Sequence, residues 1–198
     1  MRFDEIKIYH VRMPLIEPWI TSYGSDYEIH SILINVKSDN YSAWSETCAL
    51  ELPTYSYESA NSIFFNISEI FGPSLIKKNF DSPYEVINEL SLFKGNPFAK
   101  AGLDIAWWNL KSEITNTPLH ILLGGSRDLV VAGADFGVQK DIDTLLEKIN
   151  LAVENKAPRI KLKVKKGWDF DVIDAVKSSF PKSISVSYTH LTLPTSRS

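Results

Sequence analysis

Arg159-Ile160-Lys161-Leu162-Lys163-Val164-Lys165-Lys166-Gly167 is the stretch on which the fold of this chain turns. Cationic and aliphatic residues alternate in it at period two. On a strand this sends Lys161, Lys163 and Lys165 to one face and Ile160, Leu162 and Val164 to the other. An exposed sheet would make such a strand unexceptional. The neighbouring segments instead place it in a parallel layer covered on both faces, where lysines need a physical reason to be.

Those segments read as follows. Asp128 to Val138 is an apolar strand, and Asp141 caps a helix to about Lys156 with Leu145, Ile149, Ala152 and Val153 as its buried stripe. After the lysine strand a helix runs from about Asp169 to Ser179 on Val172, Ile173 and Val176. Pro181 breaks it, and Ile184 to Val186 begins another strand. The order βαβα(β) predicts right-handed crossovers and a parallel sheet.

Upstream the grammar differs. Arg2 to Leu15 alternates imperfectly and is expected to end at Pro14. Thr21 to Asp26 is a polar, Gly-containing connection, and strands follow over Glu28 to Lys37 and Tyr41 to Cys48 with a tight turn at Ser38-Asp39-Asn40. This is an antiparallel three-stranded meander. A helix capped by Thr54 or Ser56 is expected to reach Ile70 and stop at Gly72-Pro73. Ser82-Pro83-Tyr84-Glu85 has the pattern of a capping box, followed by the stripe Val86, Ile87, Leu90 and Phe93 up to Gly95. Asn96-Pro97 opens a stronger helix to about Glu113, with Ala99, Leu103, Ala106, Trp107 and Leu110 on one face and Ala101 and Trp108 widening it. Pro118 to Leu123 adds a short turn. The fold class expected is an α+β capping domain over residues 1–125, followed over residues 126–186 by two βα units and the start of a third strand.

Two βα units cannot close a (β/α) barrel, which takes eight strands and about 250 residues. The βα units are then either a small open α/β layer or the front of something longer, and a truncated barrel is the reading expected here. Val186-Ser187-Tyr188-Thr189-His190-Leu191 resembles the translation of a transposase adapter, and residues 187–198 are read as a non-native tail.

Composition excludes several classes. A net charge of −3 and a pI near 5.8 offer no electrostatic case for nucleic acid or an anionic membrane. Cys48 is alone, so neither a disulfide framework nor a cysteine zinc site is available. Without a signal-like start or a long apolar run, a soluble cytoplasmic protein is expected. His10, His30, His120 and His190 lack metal-ligand spacing and read as structural or surface residues.

Chemistry concentrates at Lys161 and Lys163. Two ammonium groups at close range disfavour each other's charge, and partial burial acts in the same sense. A lysine lowered this way is a usable general base for proton abstraction next to a carboxylate, given a metal to stabilise the enediolate. The plain alternative is a solvated lysine face.

Asn96-Pro97-Phe98-Ala99-Lys100-Ala101-Gly102-Leu103-Asp104-Ile105-Ala106-Trp107-Trp108-Asn109-Leu110-Lys111, followed by Pro118-Leu119-His120-Ile121-Leu122-Leu123-Gly124-Gly125, resembles the muconate-lactonizing branch of the enolase superfamily. Arg159 to Lys163 and Gly167-Trp168-Asp169 resemble the o-succinylbenzoate synthase and N-acylamino acid racemase family. The resemblance implies that Lys163 is the general acid/base and Lys161 its supporting cation. It implies that Thr21-Ser22-Tyr23-Gly24 is a capping-domain loop closing over a small-molecule carboxylate, with Ser22 and Tyr23 as contacts. Glu51 to Tyr55 matches a second substrate-facing loop, with Tyr55 as its contact. Asp135 stands where relatives often carry a small polar residue, and would either pair with Lys163 or repel an acidic substrate. Mg²⁺ is implied for an intact, homo-oligomeric parent, but its carboxylate ligands are not in this chain: Tyr188, Thr189 and His190 occupy the place of the first.

The activity so implied is the dehydration of a cyclohexadiene carboxylate in menaquinone biosynthesis, with N-acylamino acid racemization as the alternative. The fragment itself is expected to be inactive. A non-catalytic module binding anions through the lysine strand is a third reading.

Overall fold

The computed structural model describes residues 1–21, 24–163, 167–181 and 184–188, with side chains left aside at 21, 24 and 184–188. Ser22, Tyr23, Val164, Lys165, Lys166 and residues 189–198, which hold part of the expected loop, strand and tail, lie outside the described residues. The chain divides into two compact units, residues 1–16 with 27–126, and residues 17–26 with 127–198.

The first unit carries most of β1 (Glu5–Thr21) and β2 (Gly24–Ser38), whose residues 17–26 fall in the second unit, and all of β3 (Tyr41–Cys48), paired antiparallel to β2 in the sheet order β1-β2-β3. β1 does not end at Pro14. It continues through Pro14 and Pro18 because it is an edge strand, where a missing N–H costs the ladder nothing. Likewise the expected connection is shorter, since β2 already starts at Gly24. Asp39, at φ 50°, takes the left-handed position that the tight turn demands.

The helices follow, with their starts corrected. Thr54 and Ser56 are not caps; Ser59 is, accepting from the Ser62 N–H while Ser62 Oγ receives the Ser59 N–H, and α1 spans Ala60–Phe65. A π-helical stretch, Asn66–Phe71, then leads into α2 (Gly72–Leu75). Gly72-Pro73 therefore does not stop the helix. The Gly72 N–H closes the wide turn on the Ile67 carbonyl, and Pro73 enters at a first-turn position that needs no donor. A Cβ at Gly72 would sit 2.7 Å from that same carbonyl oxygen, which requires glycine. In α3 (Pro83–Leu90) the Ser82 side chain makes no cap bond, and Glu85 instead accepts from the Asp81 N–H at 2.8 Å. Val86 and Leu90 are buried, whereas Ile87 is 48% exposed and leaves the expected stripe.

The 19-residue helix α4 (Pro97–Thr115) organises this unit. Ala99, Gly102, Leu103, Ala106, Trp107 and Leu110 bury one face of it against the sheet residues Ile32, Ile34, Val36 and Ala43. Two hydroxyls stitch the seam: Ser45 Oγ donates to the Gly102 carbonyl at 2.7 Å, and Thr47 Oγ1 to the Phe98 carbonyl at 2.8 Å. The start of α4 is capped from outside. Asn96 makes no side-chain cap, and the buried Glu58 carboxylate accepts from the N–H groups of Phe98 and Ala99. The short helix α5 (Leu119–Leu122) follows.

The second unit is a parallel sheet of order β4-β5-β6, with β4 (Ala134–Phe136), β5 (Arg159–Lys163) and β6 (Ile184–Tyr188). The expected strand over Asp128 to Val138 shrinks to three residues. Leu129, Val130 and Val131 are 87%, 87% and 77% exposed and outside any ladder, so apolar character alone does not make them strand. Between the strands run α6 (Ile142–Glu154), capped by Asp141 on the Thr144 N–H, and α7 (Asp169–Ser179). Leu145, Ile149, Val172 and Val176 close the core over Ile160 and Leu162. Among the described residues no helix is long and apolar enough to cross a membrane.

Two substitutions test this packing. A Cβ at Gly102 would lie 2.8 Å from Ile34 Cδ1 and 2.9 Å from Thr47 Cγ2, so Gly102→Ala should lower stability by about 1–3 kcal/mol through overpacking, read by denaturant unfolding. Glu58→Ala should cost about 1–3 kcal/mol by orphaning the α4 donors. Burial raises the Glu58 pKa, opposed by the Phe98 and Ala99 N–H bonds and by Lys100. The folded state then holds this proton above the unfolded value of 4.5, so the wild type loses stability relative to Glu58→Gln as pH rises from there through the native pKa.

Candidate active site

On β5 the side chains of Ile160 and Leu162 are buried, and Lys161 and Lys163 alternate to the opposite face, away from the α6 and α7 core. Strand register brings a carboxylate to this face. Asp135 on β4 is the direct parallel partner of Lys161, and Lys161 Nζ meets Asp135 Oδ2 at 2.8 Å. Asp135 thus pairs with Lys161, where the sequence offered pairing with Lys163 or repulsion of an acidic substrate. The register decides it, since Lys163 stands one strand step beyond the end of the β4 ladder.

Lys163 has a different neighbour. Its Nζ lies 3.4 Å from the centroid of the Trp19 ring, a cation–π contact made by the last part of β1. Burial holds the Lys163 pKa below the ordinary lysine value; the Asp135 carboxylate pulls it back up, and Lys161 pushes it down again. Two attractive partners therefore act against desolvation and one like charge, and desolvation prevails.

A cleft of about 570 Å³ opens on this face, lined among others by Glu17, Trp19, Ile20, Lys140, Lys148 and Lys163. Lys148 Nζ donates to both Glu17 carboxylate oxygens, at 3.0 and 2.8 Å. Lysines outnumber carboxylates around the cleft, which suits an anionic ligand, and Trp19 and Ile20 supply an apolar wall.

The structure brings Lys161, Lys163 and Asp135 together. Tyr55 belongs to the first unit, on a turn after β3, and is 56% exposed. Sequence reasoning missed Trp19, Glu17 and Lys148. Trp19 sits between an edge-strand proline and the glycine connection without any periodic pattern, and the Glu17–Lys148 pair is separated by 131 residues. Spacing in the sequence also gave no sign that His10 Nε2 and His30 Nδ1 lie 3.0 Å apart.

Residues 4–124 match the family described as mandelate racemase / muconate lactonizing enzyme, N-terminal domain. An o-succinylbenzoate synthase of Geobacillus kaustophilus is 33% identical over 91% of this chain and 48% of its own length. An N-succinylamino acid racemase of Thermus thermophilus is 30% identical over 92% of this chain and 50% of its own. A solved member of the enolase superfamily from Listeria innocua superposes with a TM-score of 0.87 at 28% identity, covering 94% of this chain and 51% of that one. The chain spans about half the length of the curated relatives it matches. The Listeria innocua structure has the fold of this chain, and the chain belongs to the mandelate racemase / muconate lactonizing enzyme family of the enolase superfamily.

Proposed function

We propose that residues 1–125 are the capping domain and residues 126–186 the opening βα units of an enzyme of the o-succinylbenzoate synthase type, with residues 187–198 a non-native tail. The observation that carries this is the half-buried Lys163, pKa lowered, on the open face of a parallel strand beside a cation-lined cleft. The names of the similar proteins support the reaction class. Lys163 Nζ, as the free amine, takes the proton α to the substrate carboxylate. The C–H electron pair moves to the carboxylate as an enediolate; its return breaks the C–O bond to the β-hydroxyl, which takes the proton back from the Lys163 ammonium and leaves as water. Lys161, pinned by Asp135, keeps a positive charge near Lys163 and near the carboxylate. Ser22, Tyr23 and Tyr55 are the substrate contacts this reading assigns, and a homo-oligomer is its assembly.

Mg²⁺ is the cation such an enzyme uses to hold the enediolate. The described residues of the cleft do not fit it. Asp135 is held by Lys161 and Glu17 by Lys148, so the carboxylates face ammonium groups where a hard cation needs a cage of oxygens. What these residues carry is proton transfer.

A second reading is N-acylamino acid racemization, supported by the Thermus thermophilus relative. It needs the same base, with the proton returned on the opposite face.

In the full-length protein Lys163→Ala should lower turnover by about 100- to 10,000-fold, and undiminished turnover would remove both readings. Activity on N-succinylamino acids without dehydration of the cyclohexadiene carboxylate would overturn the synthase reading. Residues 1–198 alone should show no Mg²⁺-dependent turnover. In that chain, amine acylation followed by mass spectrometry against pH should find Lys163 titrating below the other lysines. Asp135→Asn should move it lower still, because the carboxylate that favours the ammonium is gone. A rise would contradict the assigned electrostatics.

A further inference from the structure

Along β2 the face that carries Ile32, Ile34 and Val36 into the core continues as His30 and Glu28. An aliphatic core face that ends in an imidazole only 4% exposed, followed by a carboxylate, calls for a reason. Glu51, on the turn after β3, brings a second carboxylate to the same place. One ligand atom from each of Glu28, His30 and Glu51 can be chosen so that all lie within 4.8 Å of one another.

We propose that Glu28, His30 and Glu51 form a binding site for a borderline divalent transition-metal cation, with Zn²⁺ as the matching probe. Tetrahedral ligands about 2.0 Å from a zinc centre lie about 3.3 Å apart. His30 Nε2 and Glu28 Oε1 are already 3.0 Å apart, and Glu51, exposed on its turn, has the freedom to close the remaining distance. One imidazole nitrogen with two carboxylate oxygens is a donor set that zinc accepts and that leaves a fourth position for water. Two carboxylates against the single Arg12 guanidinium, which bonds Glu28 Oε1, leave an excess of negative charge.

His10 supplies the outer support. Its Nε2 lies 3.0 Å from His30 Nδ1. As it stands, His30 Nε2–H donates to Glu28, and His10 Nε2–H donates to His30 Nδ1. When the metal takes His30 Nε2, the proton displaced there is replaced by one on Nδ1, and His10 shifts its own proton from Nε2 to Nδ1; each ring keeps one proton, no net proton is released, and His30 Nδ1–H donates to His10 Nε2. An imidazole held in this way by a second acceptor is the usual arrangement around a metal-bound histidine.

The test is Zn²⁺ titration of the metal-free 198-residue chain by calorimetry, with thermal unfolding in parallel. The expected result is one tight equivalent that raises the melting temperature, and no such response to Mg²⁺. Glu51→Gln, at an exposed turn residue, should keep the fold and weaken binding at least tenfold. His30→Gln should abolish it, and His10→Gln should weaken it about ten- to a hundredfold at unchanged stoichiometry. If His30→Gln fails to fold, Glu51→Gln decides. No saturable binding by the wild type would mean that the four side chains are a structural hydrogen-bond network only, and overturns the proposal. Zn²⁺ bound equally well by folded Glu51→Gln also overturns it, since the ion then sits elsewhere, for example on His120.

Discussion

Burial of Ile160 and Leu162 beneath α6 and α7 is the constraint on which the site depends. A strand has two faces at strict alternation, so committing these two side chains to the core leaves Lys161 and Lys163 no choice but the other face. A one-residue slip would put two ammonium groups into an apolar core at a cost of many kcal/mol, a penalty no contact in this unit could offset. The aliphatic half of β5 thus aims its cationic half, and the placing of the two lysines follows from packing.

The same face shows how a lysine's pKa is lowered without the side chain being left alone. Asp135 and Trp19 both favour the ammonium form, the first as a carboxylate and the second through its ring face. Had Asp135 faced Lys163 directly, it would have held that proton firmly. Register diverts it to Lys161, so Lys163 feels it only at a distance and desolvation dominates. A single residue's displacement along a ladder separates an ion-paired lysine from one whose pKa burial lowers.

In the first unit, polar groups are handled by long-range partners where local ones are missing. Asn96 makes no side-chain cap on α4, and Glu58 reaches its first donors from a segment 40 residues earlier. Ser45 and Thr47 spend their hydroxyls on α4 carbonyls, which allows the close approach that Gly102 makes possible. On β2 the core-facing series gives way to His30 and Glu28, and their partners His10, Arg12 and Glu51 come from β1 and from the turn after β3. These arrangements are absent from any local pattern because each joins residues far apart in the chain.

Sequence by itself determined what depends on period and local chemistry. The meander, the apolar stripe of α4, the Asp141 cap and the two-faced lysine strand were all legible, because hydrophobic alternation and capping residues act over a few positions. The motifs of α4 and of Arg159 to Lys163 also carried the family. Tertiary structure decided the rest. Pro14 and Pro18 stay within β1 only because it is an edge, and Leu129 to Val131 stay out of β4 because their ladder ends. Glu58, rather than a neighbouring residue, caps α4. Trp19 over Lys163, Lys148 on Glu17 and the meeting of His10 with His30 are pairings through space, and one-dimensional spacing holds no record of them.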